Sequence, residues 1–302
     1  MIRQVSRQKL AVDKYTDCLK KSVNYRVYAE FWYLDTLVGE NWDCLIYKDY
    51  DAVMPLPFVR KFGIKLITQP LYCQQLGVFH QKEFTGRIFQ EFEKRLHRKL
   101  VRSYNFNEEN TAMFSPKGKL RVNQILDISN SYEELYNNFS LNRKRNIKKN
   151  SFNKLNIDQS FFDVEWYFEA LEKNYAYSKT INLSLFEEII NKNIQRKNCT
   201  QYFLFDENKR IISSVFLLHS SDRIILLSSV RNKDLEPKGS FSYLLNHIIK
   251  DHCGRSLIFD FEGSNIKGIQ DYYASYNSEI RYYSNYKNFL NFFSKNSINF
   301  KK

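Results

Sequence analysis

The chain reads as an α/β (α+β) protein built from two units in tandem, each a mixed, mostly antiparallel sheet with helices on both faces. Three observations predict this. First, residues 201–287 run as three strand-like segments joined by short connectors, then a helix opened by a glycine, then a further strand, a short helix and a last strand. Second, the first half repeats that order without sharing its residues, as expected of a duplicated plan. Third, 302 residues are more than most single cores hold and suit two domains of ordinary size.

In the first half, residues 42–48 and 52–60 are apolar strands around a Lys-Asp-Tyr-Asp turn, and 64–79 is a third run that contains Pro70 and ends at His80. Residues 82–99 predict a helix with Phe84, Ile88, Phe89, Phe92 and Leu96 on one face, followed by a strand over 101–106. Residues 120–128 read as the last strand of this unit. Ser131 and Glu134 stand in the capping-box relation and open a helix expected over 131–149, with two more helices over 163–177 and 184–197.

In the second half, Gln-Tyr-Phe-Leu-Phe-Asp (201–206), 210–219 and 223–230 form an antiparallel meander, because connectors of three residues leave no room for a crossover. Phe241, Leu244, Leu245, Ile248 and Ile249 recur at helical spacing after Gly239, and the helix stops before Gly254. A strand over 256–263, a short helix over 266–276 and a tyrosine-rich strand over 280–286 close the unit. The expected boundaries are 1–129 and 130–287. Phe289, Leu290, Phe292 and Phe293 of the tail (288–302) are expected to pack back on the first unit.

Composition narrows the function. With 46 Lys and Arg against 33 Asp and Glu, the net charge of +13 favours anionic partners, although a merely soluble lysine-rich surface has the same signature. Five cysteines (18, 44, 73, 199, 253) are odd in number and widely spaced, so neither a zinc site nor a disulfide framework is indicated. The five histidines (80, 97, 219, 247, 252) lack metal-ligand spacing. The first residues hold no apolar stretch of signal-peptide length, and His219, Asp222 and Arg223 interrupt the most apolar region. The expectation is a reduced, cytoplasmic protein without a transmembrane segment, compatible with peripheral contact with a membrane.

Two places could carry chemistry. A strand that runs into a glycine-opened helix aims backbone N–H groups and the positive helix end at one spot, where Arg231, Lys233 and Lys238 could add charge to an anion site. The same loop also suits an ordinary surface helix. Asp260 and Glu262 lie two apart on a strand and so face one side, where two carboxylates among apolar neighbours mark either a site or a solvated strand face. The basic run from Arg143 to Lys149 puts Arg145, Lys148 and Lys149 on one helical face, suited to phosphates or simply to water.

Pro237-Lys238-Gly239-Ser240 ahead of Leu244-Leu245, the segment Phe259-Asp260-Phe261-Glu262-Gly263-Ser264, then Gly268-Ile269 and Tyr272-Tyr273 before Tyr276 resemble the GNAT acyltransferase superfamily. More narrowly, with the basic run 142–149, the C-terminal half is similar to tandem-GNAT, Fem-type proteins. The resemblance implies an acyl or aminoacyl transfer to an amine held between the units, from acetyl-CoA or another acyl-CoA. It implies donor contacts at Ser229, Val230, Arg231, Lys238, Gly239, Ser240 and Phe241, and proton transfer among Asp260, Glu262, Tyr272, Tyr273 and Tyr276. Arg143, Arg145, Lys148 and Lys149 would meet the phosphates of a nucleotide-linked acceptor or of tRNA. Two alternatives stay open: an aminoacyl-tRNA-dependent peptidyltransferase acting on a cell-wall precursor, and an inactive binding protein. No metal is implied. The corresponding place in the first half, Gln-Leu-Gly-Val-Phe-His-Gln-Lys-Glu-Phe (75–84), is expected to lack a glycine at its helix entrance, which would make that unit a degenerate copy on the acceptor side.

Overall fold

The computed structural model describes residues 1–151, 154–175 and 182–289. The chain divides into two compact units: Met1–Arg121 together with the C-terminal stretch from Tyr282, and Val122–Arg281.

In the first unit, β1 (Ile2–Ser6), α1 (Val12–Lys21) and α2 (Phe31–Val38) precede β2 (Trp42–Tyr47), β3 (Ala52–Lys61), β4 (Ile64–Thr68) and β5 (Phe79–His80). Then come α3 (Gly86–His97), β6 (Val101–Asn105) and α4 (Glu108–Phe114). The sheet order is β1-β2-β3-β4-β6, with β5 on the side of β3. The pairs β2–β3 and β3–β4 are antiparallel, whereas β6, which follows α3, runs parallel to β4. Tyr15, Tyr33, Trp42 and Tyr104 fill the core as large, fully buried rings.

In the second unit, β7 (Lys119–Asp127) leads to α5 (Tyr132–Asn138), α6 (Leu141–Ser151), β8 (Asn156–Asp158), α7 (Val164–Asn174) and α8 (Leu183–Gln195). The meander β9 (Cys199–Phe205), β10 (Ile211–His219) and β11 (Arg223–Arg231) is followed by α9 (Ser240–His252), β12 (Ile258–Asp260), α10 (Lys267–Ala274) and β13 (Glu279–Tyr286), whose residues from Tyr282 onward belong to the first unit. The order is β7-β12-β11-β10-β9-β8, and β12, which follows α9, runs parallel to β11. The core joins Leu226, Phe241, Leu244, Leu245, Ile248, Phe259, Phe261 and Tyr276. Meander, helix, parallel strand thus occurs twice, as the pattern predicts.

The last strands depart from expectation. The segment assigned to the close of the first unit, β7, pairs through Ile125–Asp127 with β12 of the second. The strand expected to close the second unit, β13, pairs through Asn285 and Tyr286 with β6 of the first. Local patterning identifies a strand but not its neighbour, so the exchange is invisible in sequence. The run 64–79 is two strands, because Pro70 cannot donate to a ladder and Tyr72 turns the chain at φ +57°. The helix expected over 131–149 is two. Ser131 and Glu134 form the predicted capping box, but α5 ends at Asn138 and Ser140 Oγ caps α6 by accepting the Arg143 amide at 3.2 Å. The helix expected from residue 82 starts at Gly86 with Thr85 as its cap, so a glycine does stand at that entrance. The expectation for the tail rests on residues 290–302, which, unlike Phe289, lie outside the described ones.

Candidate active site

The strand β12 pairs with β11 only from Arg223↔Ile258 to Ile225↔Asp260. It then ends, and residues 226–231 of β11 continue without it. On its other side β11 carries a bulge: Phe216 faces Ser228 but Leu217 faces Leu226, which leaves Leu227 as the extra residue. The sheet is therefore split on one side of β11 and kinked on the other. In the split lies a cavity of ≈ 320 Å³ lined by Tyr175, Ser229, Arg231, Phe241, Gly268, Ile269, Tyr272 and Tyr273. Half of its lining residues are aromatic, and the Arg231 guanidinium lies 5.6 Å from the centre of the Phe241 ring.

The predicted site residues separate into those that reach this cleft and those that do not. Ser229, Arg231, Phe241, Tyr272 and Tyr273 line it. Val230 is fully buried. Tyr276 lies behind the wall, its hydroxyl 3.4 Å from that of Tyr272 and donating to the Ser242 carbonyl at 3.3 Å. Burial holds the phenols of Tyr273 and Tyr276 well above their ordinary range, so both stay neutral near pH 7.

Asp260 and Glu262 do not share a strand face. The strand ends at Asp260, and Glu262 takes φ +54°, which breaks the two-residue alternation. Gly263 follows at φ +50°, where a Cβ would come within 2.7 Å of the Asn123 Cα, so the chain can turn here only with glycine. Asp260 is buried against Arg223 at 2.5 Å and accepts the Glu262 amide at 2.8 Å. That is an internal ion pair holding β11 to β12, away from the cleft lining. Glu262 is half-buried, close enough for its charge to raise the Tyr273 pKa further.

The basic run also divides. Arg145, Lys148 and Lys149 are exposed on one face of α6, as their spacing predicts. Arg143 instead points inward. Its Nε donates to Ser275 Oγ at 2.8 Å, another nitrogen donates to Ser242 Oγ, and its guanidinium lies 4.0 Å from the Tyr272 ring centre and 4.6 Å from that of Tyr276. A buried cation between two aromatic faces fixes the inner side of the cleft wall.

The entrance to α9 differs most from expectation. Gly239 caps the helix at φ +89°, and a Cβ there would lie 3.2 Å from Asn146 and Asn150, so what approaches closely is α6. The Ser240 amide donates to the Pro237 carbonyl at 3.0 Å and the Ser242 amide to that of Gly239 at 3.0 Å. Between them, the Glu236 carboxylate approaches the Phe241 amide closely enough for that N–H to lower its pKa, and it accepts Ser240 Oγ at 3.4 Å. Glu236 in turn faces Arg231 at 3.7 Å. Two of the first three amides of α9 are thus satisfied from within the chain, and the anion nearest the third is the protein's own carboxylate. Burial raises the Glu236 pKa, partly offset by Arg231. Lys238 is exposed, and its carbonyl accepts from Asn150 at 3.3 Å. An anion brought to this helix end, as the CoA-type donor expected of the loop would bring, has to compete with the Glu236 carboxylate. Glu236 escapes sequence reasoning because capping rules look to the residue at the helix start, not to one four positions before it.

The chain matches no protein-family profile and no curated protein. Solved structures do match. FemX superposes with a TM-score of 0.65 at 10% identity, over 97% of this chain and 99% of that one. The fold is a tandem GNAT-like fold of the Fem type. An acetyltransferase of the GNAT family from Colwellia psychrerythraea follows at TM-score 0.54 and 9% identity, over 94% of this chain and 98% of that one. L-PGS from Bacillus licheniformis has a TM-score of 0.50 at 13% identity, over 91% of each chain. Among the described residues no cluster of His, Cys, Asp and Glu could hold a metal ion, and no helix is long and apolar enough to cross a membrane.

Proposed function

We propose that this protein transfers an aminoacyl group from a charged-tRNA donor to an amine, with the ester carbonyl seated in the cleft beside Ser229, Arg231 and Tyr272. The observation that carries this reading is the α9 entrance: the Glu236 carboxylate stands beside the Phe241 amide and accepts Ser240 Oγ, at the spot where a CoA pyrophosphate would bring a second anion. The sequence pattern alone ranks acyl-CoA first, and the carboxylate at the helix entrance reverses that order. An aminoacyl ester makes no demand on the α9 amides, and its phosphates can be met elsewhere. Arg145, Lys148 and Lys149, exposed on α6, suit them, as does the net charge of +13. The likeness of fold to FemX and L-PGS accords with the reading.

The chemistry asks little of the cleft. The amine attacks the ester carbonyl, negative charge develops on its oxygen, and the ribose hydroxyl leaves with a proton. Arg231 is the cation in the lining that can meet that oxygen, and the Tyr272 hydroxyl, linked to Ser242 Oγ at 3.3 Å and to Tyr276, can pass a proton. Filter binding of charged tRNA over a range of salt tests the donor. Binding should weaken steeply with salt, and Arg145→Gln with Lys148→Gln and Lys149→Gln should reduce the log–log slope by about 2 to 3. Absent or salt-independent binding would overturn the proposal.

A further inference from the structure

The hairpin β3–β4 ends in a two-residue turn, Phe62-Gly63, with Lys61 facing Ile64 across it. Both turn residues have positive φ, +49° for Phe62 and +76° for Gly63, as a type I′ turn requires. Such turns favour Asn or Asp at the first position. Phenylalanine there is disfavoured twice, since an aromatic side chain is strained in the left-handed region and this one is 102% exposed. Nothing in the fold is gained in return, because Phe62 packs on nothing.

Its neighbours say what the ring is for. Ile64 and Val59 are the other exposed apolar residues of the hairpin, at 55% and 36%. Lys61 shares their face, whereas Arg60 and Lys65 lie opposite one another on the other. Between Asp51 and Glu83 the sequence holds no carboxylate at all, so this projection is cationic except where Asp43 of β2 pairs with Lys65 at 2.6 Å. An apolar tip with a basic collar complements a surface that is negatively charged outside and hydrocarbon within. We infer that the β3–β4 hairpin docks the protein on an anionic lipid surface, Phe62 and Ile64 entering the acyl boundary while Arg60 and Lys61 meet the headgroups. The two contributions act together, as a single apolar residue or a few charges alone anchor only weakly.

Vesicle co-sedimentation of the full chain tests this. Vesicles of phosphatidylcholine with phosphatidylglycerol should bind the protein, and pure phosphatidylcholine vesicles should bind it markedly less. The informative variant is Phe62→Asn, since Asn-Gly is the preferred type I′ pair and the fold should melt no lower than the parent. It should lose roughly tenfold or more in affinity for the mixed vesicles. Unchanged vesicle binding in Phe62→Asn, or equal binding to neutral vesicles, would overturn the inference. So would a loss of binding to a single-stranded RNA oligonucleotide in this variant while vesicle binding persists, because stacking on a base would then explain the ring.

Discussion

His219 ends β10 with its Nε2 2.8 Å from Thr200 Oγ1 and its ring 5.6 Å from that of His252. Burial, then the charges of His252 and Arg255, push its pKa down from 6.5 to about 4. A base whose folded pKa lies below its unfolded value binds fewer protons when folded. Stability is therefore full above pH 6.5 and is lost as pH falls toward 4, by up to about 3 kcal/mol from this residue. Urea unfolding at a series of pH values should show that loss, and His219→Gln, which keeps a partner for Thr200, should flatten it. An identical profile in the variant would refute the assignment. At this scale legibility is uneven. Gly239 was readable as a point of close approach, but the approaching group is α6 and not a donor. Glu236 carried no readable signal, because a carboxylate four residues before a helix reaches the helix end only through the loop's path.

Among the elements, β12 shows how a functional pattern can have a structural cause. A carboxylate in the apolar strand 256–263 invites a catalytic reading, yet Asp260 is the partner of Arg223 on β11, both side chains almost wholly buried. Removing one member of such a pair leaves an uncompensated charge. Asp260→Ala should cost about 3 to 5 kcal/mol, and Arg223→Met combined with Asp260→Leu should recover most of it. Calorimetric melting of the three proteins checks this. A stable Asp260→Ala that has lost only transfer activity would restore the catalytic role. The meander, α9 and the capping box of α5 were legible because each is set by local periodicity or by a four-residue motif. The split of β11 from β12 was not, since it depends on where β12 stops pairing, and Glu262 and Gly263 decide that through backbone conformation.

For the whole chain, the repeat was legible as topology and the exchange of β7 and β13 was not. Helix and strand periods specify elements, whereas partners depend on the path between them. The charge of +13 was equally legible but points only to anions in general. The choice among anionic donors rests on Glu236 at the α9 entrance, and calorimetric titration of the intact protein with acetyl-CoA tests that most directly. The carboxylate at the helix entrance predicts no saturable heat, even at ligand concentrations where micromolar binding, about −8 kcal/mol, would saturate. Micromolar binding of acetyl-CoA that disappears in Gly239→Glu would contradict the account and return the site to a CoA-dependent acyltransferase.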